Sequence, residues 1–338
     1  MLKFNSLELL QLIKFSTVSK IFNALKLYIS FEISKIIGKP FMWGLPFSLS
    51  VEPVNKCNLA CNQCPTGLST ILRPKGKLTF LNYTQIIEQV APHLLYLQLY
   101  LQGEPFLHPE LPEMIAYANK RKICTLVSTN GHFLSAEKCR QIVASGLTRL
   151  VVSLDGATAE VYEKYRVGGN FEKVLHGIRN MVEAKNNAGS NYPIIELQFI
   201  VFRANEHQIK EIQLLGKLLG TNLVSIKSAQ IYDFEENSDL IPTIVNYARY
   251  FKNKNGNWQI KSKLKNSCWR MWHNPVVDTY GNIMPCCFDK NGNFSLGNLL
   301  EKSLKEVWYS ESYKAFRRKI FTGRKQLGMC RNCTEGLL

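Results

Sequence analysis

Three cysteines near the start of the chain have a spacing that can hold iron. Cys57, Cys61 and Cys64 lie in the run Glu52-Pro-Val-Asn-Lys-Cys-Asn-Leu-Ala-Cys-Asn-Gln-Cys-Pro65, which follows the strand-like segment Phe47-Ser-Leu-Ser-Val51. Three thiolates at this C-x3-C-x2-C spacing can bind three irons of a cubane cluster and leave the fourth iron open to a substrate or cofactor. A structural zinc site is the alternative, but it needs four closed ligands, and no His or Cys lies nearby in the sequence to be the fourth.

A second group of cysteines lies in the C-terminal quarter of the chain. Its members follow the pattern C-x12-G-x4-C, then a long gap, then C-x2-C, and they are Cys268, Cys286, Cys330 and Cys333, with Gly281 before the second. Four thiolates can close a cluster completely, and a closed cluster binds no substrate at iron without losing a ligand. Taken alone, four cysteines also fit structural zinc.

Polar residues beside glycines follow three successive strand-like runs. They are Gln102-Gly-Glu-Pro105, Ser128-Thr-Asn-Gly131 and Ser153-Leu-Asp-Gly156. Each supplies a carboxylate, amide or hydroxyl next to a residue that lets the backbone turn or approach a ligand closely. One such sequence alone is ordinary turn chemistry. Three at successive strand ends indicate a ligand-binding edge.

An alternation of strand and helix signals positions these residues. The strand-like runs lie at 48–52, 95–101, 123–129, 149–154, 194–202 and 223–231. Helix-like segments between them include 84–90, 109–122, 135–145 and 205–219, the last two closed by Gly146 and Gly220. This pattern predicts an α/β fold of six βα units, with a parallel sheet covered by helices and the chemistry at the C-terminal strand ends.

Composition limits the class of protein. With 338 residues, 46% of them hydrophobic, the chain can form one large domain and a smaller one. No signal peptide is evident, which predicts a reducing, cytoplasmic location for the ten cysteines, and no apolar stretch reaches the roughly 18 residues of a membrane span. The net charge of +16 favours anionic partners. Nucleic acid is not indicated, because no basic run is interleaved with aromatic residues.

Residues 7–37 have a helical pattern that is rich in apolar side chains and carries Lys14, Lys20 and Lys26. In one continuous helix, steps of six residues place these lysines about 240° apart, spread around the axis and not along one polar face. We therefore expect the extension to pack on the protein. Peripheral membrane contact is the alternative.

With these motifs in place, residues 48–232 resemble the core of a radical S-adenosylmethionine (SAM) enzyme, which implies a partial (βα)6 barrel. The resemblance implies that the first three cysteines bind a 4Fe-4S cluster and that SAM chelates its open iron through amino and carboxylate groups. Gly103 and Glu104 match the Gly-Gly-Glu-type motif that holds the methionyl amine, with Gln102 in place of the usual first glycine.

The resemblance extends to further cofactor-binding positions. Ser153 and Asp155 match polar residues that meet the SAM ribose or methionyl group, and Ser128 and Asn130 are additional candidates. Arg166 resembles an arginine that pairs with the SAM carboxylate, for which a planar guanidinium is suited. The alternative for Arg166 is a surface arginine in a turn.

The C-terminal region resembles the SPASM/twitch extension, a small α+β domain that holds an auxiliary 4Fe-4S cluster. The ligands of one auxiliary cluster are present, which makes the domain twitch-like. We expect four parts: a helical N-terminal extension over 1–46, the radical SAM core over 47–233, a linker over 234–261 and the auxiliary domain over 262–338.

Several residues keep two interpretations at this point. Cys287 directly follows a ligand candidate, and adjacent residues of an extended segment point to opposite sides. It is therefore either a small buried filler or an active-site thiol. Gln198, Lys227 and Gln230 either line the barrel or face outward.

The resemblance implies a mechanism in which a ferredoxin- or flavodoxin-like donor reduces the SAM-bound cluster. SAM then gives methionine and a 5′-deoxyadenosyl radical, which takes hydrogen from a small-molecule substrate, for which an anionic, sugar-like compound is the candidate. With the auxiliary cluster as electron acceptor, the result is an oxidation or a rearrangement. Asp289 is the candidate base by position, and the alternatives are Asp233, Glu235 and His273.

Two other classes of function stay open. SPASM proteins include maturases that modify a precursor peptide by thioether formation, epimerisation or crosslinking. The 46 residues before the first strand are too few for the winged-helix leader-binding domain that such maturases often carry. The other class is a non-catalytic iron-sulfur electron carrier, which would not need SAM-contacting residues at three strand ends.

Overall fold

The structure is a computed structural model that describes residues 5–334. Its strands in chain order are β1 (Ser48–Val51), β2 (Tyr96–Gln98), β3 (Cys124–Thr129), β4 (Arg149–Ser153), β5 (Ile194–Val201), β6 (Leu223–Ser228), β7 (Tyr250–Lys252), β8 (Trp258–Ile260), β9 (Val276–Val277) and β10 (Ile283–Met284). Eight of them form one sheet in the order β10-β9-β1-β2-β3-β4-β5-β6. Strands β1 to β6 are parallel in sequence order, which confirms the predicted partial (βα)6 barrel.

Helices cover the outer face of this sheet, and further helices precede its first strand and follow its last strand in the chain. In order they are α1 (Ser6–Phe15), α2 (Val18–Ile37), α3 (Phe80–Val90), α4 (Leu111–Lys120), α5 (Ala136–Ala144), α6 (Ala159–Tyr165), α7 (Phe171–Asn187), α8 (Ile209–Leu218), α9 (Trp269–His273), α10 (Leu304–Trp308), α11 (Glu311–Gly323) and α12 (Gly328–Arg331). The predicted terminators Gly146 and Gly220 have φ of 77° and 73°, a region that glycine enters without steric cost.

Alternation along the strands separates the core from the barrel interior. Leu97, Val127 and Leu150 belong to the main apolar core together with residues of the covering helices. Their neighbours Tyr96, Leu126 and Val151 belong to a separate cluster inside the barrel. Because successive strand residues point to opposite faces, every second residue of each strand faces the interior.

The N-terminal extension covers the barrel interior at the N-terminal ends of the strands. The helical stretch predicted over 7–37 is broken at Ser16, and Thr17 caps the second helix by accepting a hydrogen bond from the Lys20 amide at 3.3 Å. Phe15 joins the interior cluster. Glu8 is fully buried, accepts a hydrogen bond from the Tyr96 hydroxyl at 2.7 Å and pairs with Arg149 at 2.7 Å.

Two regions differ from the sequence-based expectation. The stretch 234–261, expected to be a linker, contains the antiparallel β7–β8 hairpin, and Tyr250 of that hairpin packs with Phe202 and Ile231 in a third apolar cluster. The second difference is that β9 pairs with β1 in parallel, so the hairpin β9–β10 extends the barrel sheet. Among the described helices, none has the length and apolar content that crossing a bilayer requires.

We expect Arg149→Ala to lower the free energy of unfolding, measured by urea titration with circular dichroism, by about 3–5 kcal/mol. The reason is that Arg149 pairs with both Glu8 and Glu196, and its removal leaves two buried carboxylates without a counter-charge. Arg121→Ala is the matched control, because Arg121 pairs with the half-exposed Glu88 and its loss should cost about 0–1 kcal/mol. Equal losses in the two variants would contradict the interpretation.

Candidate functional site

The first three cysteines lie on the loop that leaves β1 at its C-terminal end. The loop is compact, because the Cys64 amide donates to the Cys61 carbonyl at 3.1 Å and the Leu59 amide lies 3.4 Å from Cys57 Sγ. Gly67 packs directly on it, and a Cβ there would stand 2.5 Å from the Cys61 nitrogen. A glycine is therefore required where the chain returns past the thiols.

The donor set fits an iron-sulfur cluster bound at three corners. Burial raises the pKa of Cys61 to about 11 and also raises the pKa of Cys57. The thiolates that iron binds therefore need the metal's own charge to displace the protons. Side-chain N–H groups approach two of the sulfurs: Arg166 Nη1 lies 3.9 Å from Cys61 Sγ, and Asn130 Nδ2 lies 3.8 Å from Cys57 Sγ. Hydrogen bonds to sulfur of this kind tune a cluster.

The end of β2 is held against this loop by Gly103. Its φ is +76°, and a Cβ would stand 2.5 Å from the Val54 carbonyl, so a side chain is excluded by both conformation and space. The next residue, Glu104, donates its amide to the Lys56 carbonyl at 2.8 Å. Gln102, which replaces the usual first glycine, has no positive φ and accepts a hydrogen bond from the Thr66 hydroxyl at 3.1 Å.

The Glu104 carboxylate is buried and held in one orientation. It accepts hydrogen bonds from the Thr129 hydroxyl at 2.7 Å, the Asn130 amide at 2.7 Å and the Phe106 amide at 3.1 Å. Burial raises its pKa, although these hydrogen bonds act in the opposite direction. Since a carboxylate offers about four acceptor positions, one stays available for an ammonium donor. The predicted contact with the methionyl amine stays a prediction that this geometry allows.

Asp155 and Arg166 form a buried ion pair. Asp155 Oδ2 accepts from Arg166 Nε at 2.7 Å and Nη2 at 2.5 Å, while Oδ1 accepts from the Ile200 amide at 2.8 Å. Both oxygens are thus engaged inside the protein, and the carboxylate positions the guanidinium next to Cys61. The structure therefore favours an orienting role for Asp155 over the predicted direct contact with SAM, and Arg166 is not a surface arginine.

Two serines and a glutamine at the strand ends face the barrel interior. Ser128 on β3 and Ser153 on β4 alternate with residues of the main core, and Gln198 pairs in register with Ser153. Lys227 pairs with Ile200, two residues after Gln198, and therefore faces the same side. This decides the orientation of Gln198 and Lys227, which the sequence left open. Gln230 lies beyond the end of β6.

The four C-terminal cysteines line a single cavity. Its other walls are mostly apolar, and its lining includes Cys268, Cys286, Cys330, Cys333, Met271, Phe316, Ile320 and Met329. Four thiols around one mostly apolar cavity fit a cluster with every corner bound by protein. Arg324 Nη2 lies 3.4 Å from Cys333 Sγ, a further N–H group directed at sulfur.

Lys290 and Tyr232, which the sequence analysis did not single out, lie together with Cys287 between the two cysteine groups. The Lys290 amine hydrogen-bonds the Tyr232 hydroxyl, and the Tyr232 amide donates to Gln63 of the first cysteine loop at 3.1 Å. Cys287 is half-buried, and Arg270 Nη1 lies 3.7 Å from its sulfur. The one sequence signal for Lys290 is its position, four residues after the ligand candidate Cys286. A half-buried position beside polar groups favours the active-site interpretation of Cys287 over the filler.

The candidate base has a structural use. Asp289 is buried, and its two oxygens accept hydrogen bonds from the Asn293 and Phe294 amides, each at 2.9 Å. Of the alternatives, Asp233 and Glu235 are exposed in the loop after β6, and the His273 ring stacks on Phe47 at 5.2 Å. The geometry favours a loop-stabilising role for Asp289, and its assignment as the base stays a prediction.

A buried ion pair connects the loop of the first cysteine group with the segment that follows Cys286. The Glu52 carboxylate, at the end of β1, accepts hydrogen bonds from Arg73 Nη1 at 2.5 Å and Nη2 at 3.0 Å and from the Gln102 amide at 3.2 Å. Arg73 Nε donates to the Lys290 carbonyl at 2.7 Å. The pair was missed because its partners are separated in sequence. A carboxylate directly after an apolar strand is the signal that marks Glu52.

Family models match two parts of the chain. Residues 51–200 match the model described as Radical SAM superfamily, and residues 268–334 match SPASM, described as an iron-sulfur cluster-binding domain. The two matches cover the two cysteine groups and the strand-end residues between them.

The chain is also similar to individual curated proteins. Mycofactocin maturase MftC of Mycobacterium tuberculosis is 28% identical over 53% of this chain and 44% of its own length. PqqA peptide cyclase of Gluconobacter oxydans is 30% identical over 55% of this chain and 50% of its own length. The chain thus spans about half the length of these curated relatives.

Two solved structures share the fold. Streptococcus suis SuiB bound to precursor peptide SuiA aligns with a TM-score of 0.63 and 17% identity, over 93% of this chain and 75% of that chain. BtrN in complex with AdoMet and 2-DOIA aligns with a TM-score of 0.53 and 18% identity, over 87% and 94%. At these identities the likeness concerns the fold.

We expect anaerobically reconstituted protein to hold about eight irons per chain, and Cys61→Ala and Cys330→Ala each to hold about four. Each substitution removes one thiol from a different cysteine group, and iron analysis with visible absorption measures the loss. Cys139→Ala is the matched control, because Cys139 is a buried core cysteine on α5. Four irons together with one zinc in the unmodified protein would contradict an iron-sulfur cluster at the second group.

Proposed function

Since this chain belongs to the radical SAM superfamily and carries a C-terminal SPASM domain, we propose that it modifies a precursor peptide by hydrogen abstraction. The radical SAM domain implies a 4Fe-4S cluster and SAM, the SPASM domain implies auxiliary iron-sulfur chemistry, and together these groups supply reductive SAM cleavage and electron transfer. The residue pattern had favoured a small-molecule substrate. The relatives support the alternative, peptide modification.

The observation that carries the SAM-cleaving part of the proposal is the convergence of Glu104, Arg166 and the first cysteine loop at the strand ends, and the choice of a peptide substrate is supported by the relatives. Glu104 presents an acceptor for the ammonium of a bound amino acid moiety, and Arg166 presents donors for its carboxylate. Both side chains are already oriented by buried partners, at 2.7 Å in each case. This arrangement is suited to fixing SAM beside Cys61, and a simple electron carrier has no use for it.

The substrate is proposed to lie between the two cysteine groups. Lys290, Tyr232 and Cys287 offer an amine, a hydroxyl and a thiol there, and Gln198 and Lys227 face the barrel from β5 and β6. Among the described strands, β6 has β5 as its one neighbour, so its outer edge offers backbone N–H and C=O groups. An extended peptide can pair with such an edge while one residue enters the barrel.

The names of two similar proteins support a peptide as the substrate. One curated relative is a PqqA peptide cyclase, and the SuiB structure contains the precursor peptide SuiA. BtrN, whose structure contains 2-DOIA, favours a second candidate, the oxidation of a small amino-sugar-like molecule. In both cases we propose a ferredoxin- or flavodoxin-like electron donor.

With dithionite and SAM under anaerobic conditions, we expect 5′-deoxyadenosine to accumulate, measured by mass spectrometry. Glu104→Gln should lower its rate about 10- to 100-fold at limiting SAM, because a charge-assisted hydrogen bond of about 1.5–3 kcal/mol is lost. Glu110→Gln is the matched control, since Glu110 is exposed at the start of α4. Absence of 5′-deoxyadenosine with both clusters verified would refute the proposal.

Substrate class is tested by supplying short peptides encoded beside the gene and, separately, amino sugars. A mass change or solvent deuterium incorporation in a peptide, dependent on SAM and on Cys330, is the expected result. Conversion of an amino sugar to a ketone with every peptide unchanged would establish the second candidate instead.

A further inference from the structure

Helix α2 carries polar residues on its buried face and apolar residues on its exposed face. The buried positions are Lys20, Asn23, Leu27, Ser30, Phe31 and Ser34, of which four are polar. The stripe of exposed apolar residues consists of Val18, Ile21, Phe22, Leu25, Tyr28 and Ile36, with exposed fractions of 50–86%, and Ser19, Lys35 and Ile37 are also exposed on this helix. At about 100° per residue the two stripes are centred about 170° apart. A helix that packs only on its own protein shows the reverse arrangement.

The exposed apolar surface continues beyond this helix. Leu9, Leu10 and Ile13 of α1 are more than half exposed, and Phe41 and Trp43 follow α2. Exposed apolar residues this concentrated mark an interaction site on a soluble domain. The presence of Phe22, Tyr28 and Trp43 matches the preference of aromatic rings for the membrane–water interface.

Lysines border the apolar stripe of α2 on both sides. Lys26 and Lys35 lie about 80° and 260° around the helix from Val18 at the stripe's centre. The Lys26 amine lies 4.6 Å from the Phe22 ring centroid and 5.5 Å from that of Trp43, so its stem covers apolar surface while its charge stays at the rim.

The sequence-based argument against membrane contact placed Lys14, Lys20 and Lys26 on one continuous helix. The structure has two helices there, so that argument does not hold. The helix breaks before Thr17, and the Lys20 amine is buried, donating to the Arg121 and Lys122 carbonyls at 3.4 and 2.6 Å. Lys20 is therefore not part of the exposed face, and Lys14 belongs to a different helix.

The charge of this surface indicates which partner it binds, a second copy of the chain or an anionic surface. In the described part of the extension, Glu8 is used inside the barrel, and Glu32 is the one acidic residue at the surface, beside four lysines: Lys14, Lys26, Lys35 and Lys39. Glu32 lies 2.7 Å from Lys35 in an exposed pair, and such a pair is weak enough for Lys35 to contact another anion. A second copy would bring the same positive charge to a two-fold interface, where like charges repel. An anionic surface is complementary, and the chain's net charge of +16 attracts it further.

We propose that the exposed face of α1 and α2 docks the protein onto an anionic lipid bilayer, with α2 lying in the plane of the interface. Its apolar stripe enters the boundary between head groups and acyl chains, and Lys26 and Lys35 contact lipid phosphates. This surface is separate from the strand-end site, so the proposal is independent of the substrate.

Co-sedimentation of the full chain with phosphatidylcholine vesicles, and with an equal mixture of phosphatidylcholine and phosphatidylglycerol, tests the proposal. Partition to the mixed vesicles is expected to be at least about tenfold stronger and to fall as salt rises. Phe22→Glu with Leu25→Glu should abolish binding. The matched control is Leu214→Glu with Leu218→Glu, which changes two exposed leucines of α8 and should bind as the unmodified protein does.

Charge and position are tested separately. Lys26→Glu with Lys35→Glu should remove the preference for phosphatidylglycerol, whereas Lys305→Glu with Lys319→Glu, an equal charge change at exposed sites, should keep most of it. Brominated lipids should quench tryptophan fluorescence of the unmodified protein, and Trp43→Phe should remove most of that quenching.

Three results would overturn the proposal. The first is absence of sedimentation at low salt, and the second is equal loss of binding in the α2 and α8 variants. The third is a dimer in light scattering that the Phe22→Glu, Leu25→Glu variant dissociates, which would assign the face to a second copy. Thermal unfolding by circular dichroism verifies that each variant folds, and the quenching experiment tests the unmodified chain directly.

Discussion

The Glu52–Arg73 ion pair is the contact on which the geometry of the whole site depends. Two charges in a buried position cost several kcal/mol each in lost hydration, so such a pair persists only with good geometry and further hydrogen bonds. Here the guanidinium is bidentate to the carboxylate, and the pair also engages the Gln102 amide and the Lys290 carbonyl. One interaction thus joins the first cysteine loop, the loop carrying Glu104 and the auxiliary domain.

Strand β1 gives the same connection through the backbone. It pairs with β2 on one side and with β9 on the other, and Ser50 and Val51 are in register with Val276 and Val277. The cysteine loop leaves β1 at Glu52, whose amide donates to the Val277 carbonyl at 2.9 Å. The loop that leaves β1 and the loop that follows Cys286 meet at Arg73, which contacts both the Glu52 carboxylate and the Lys290 carbonyl.

The sequence predicted the parts of this arrangement that are local. All six barrel strands, the three-cysteine loop and the Gly103–Glu104 turn are encoded in short runs with strong signals, because alternation, turn residues and ligand spacing act within a few residues. The two-residue strand β9 has too little pattern to be recognised. The partners of Glu52 and Asp155, and the internal use of Glu8, depend on contacts across 11 to 141 residues, which periodicity does not report.

The sequence did not decide between a small-molecule and a peptide substrate, for a different physical reason. The residues that bind a cofactor shared by a whole superfamily carry no information about the molecule that the radical attacks. The residues proposed for these two roles differ in how firmly the structure holds them. Glu104 and Asp155 are each fixed by three internal hydrogen bonds, which preorganises the surroundings of the first cysteine loop.

Lys290, Tyr232 and Cys287, the side chains proposed to face the substrate, are in contrast only half-buried. In the proposed function, a preorganised cofactor pocket beside a more exposed substrate region would allow one radical-generating site to serve different substrates. Under that proposal, selectivity depends on residues from the auxiliary domain and from the loop after β6, which are separate from the SAM-binding motif.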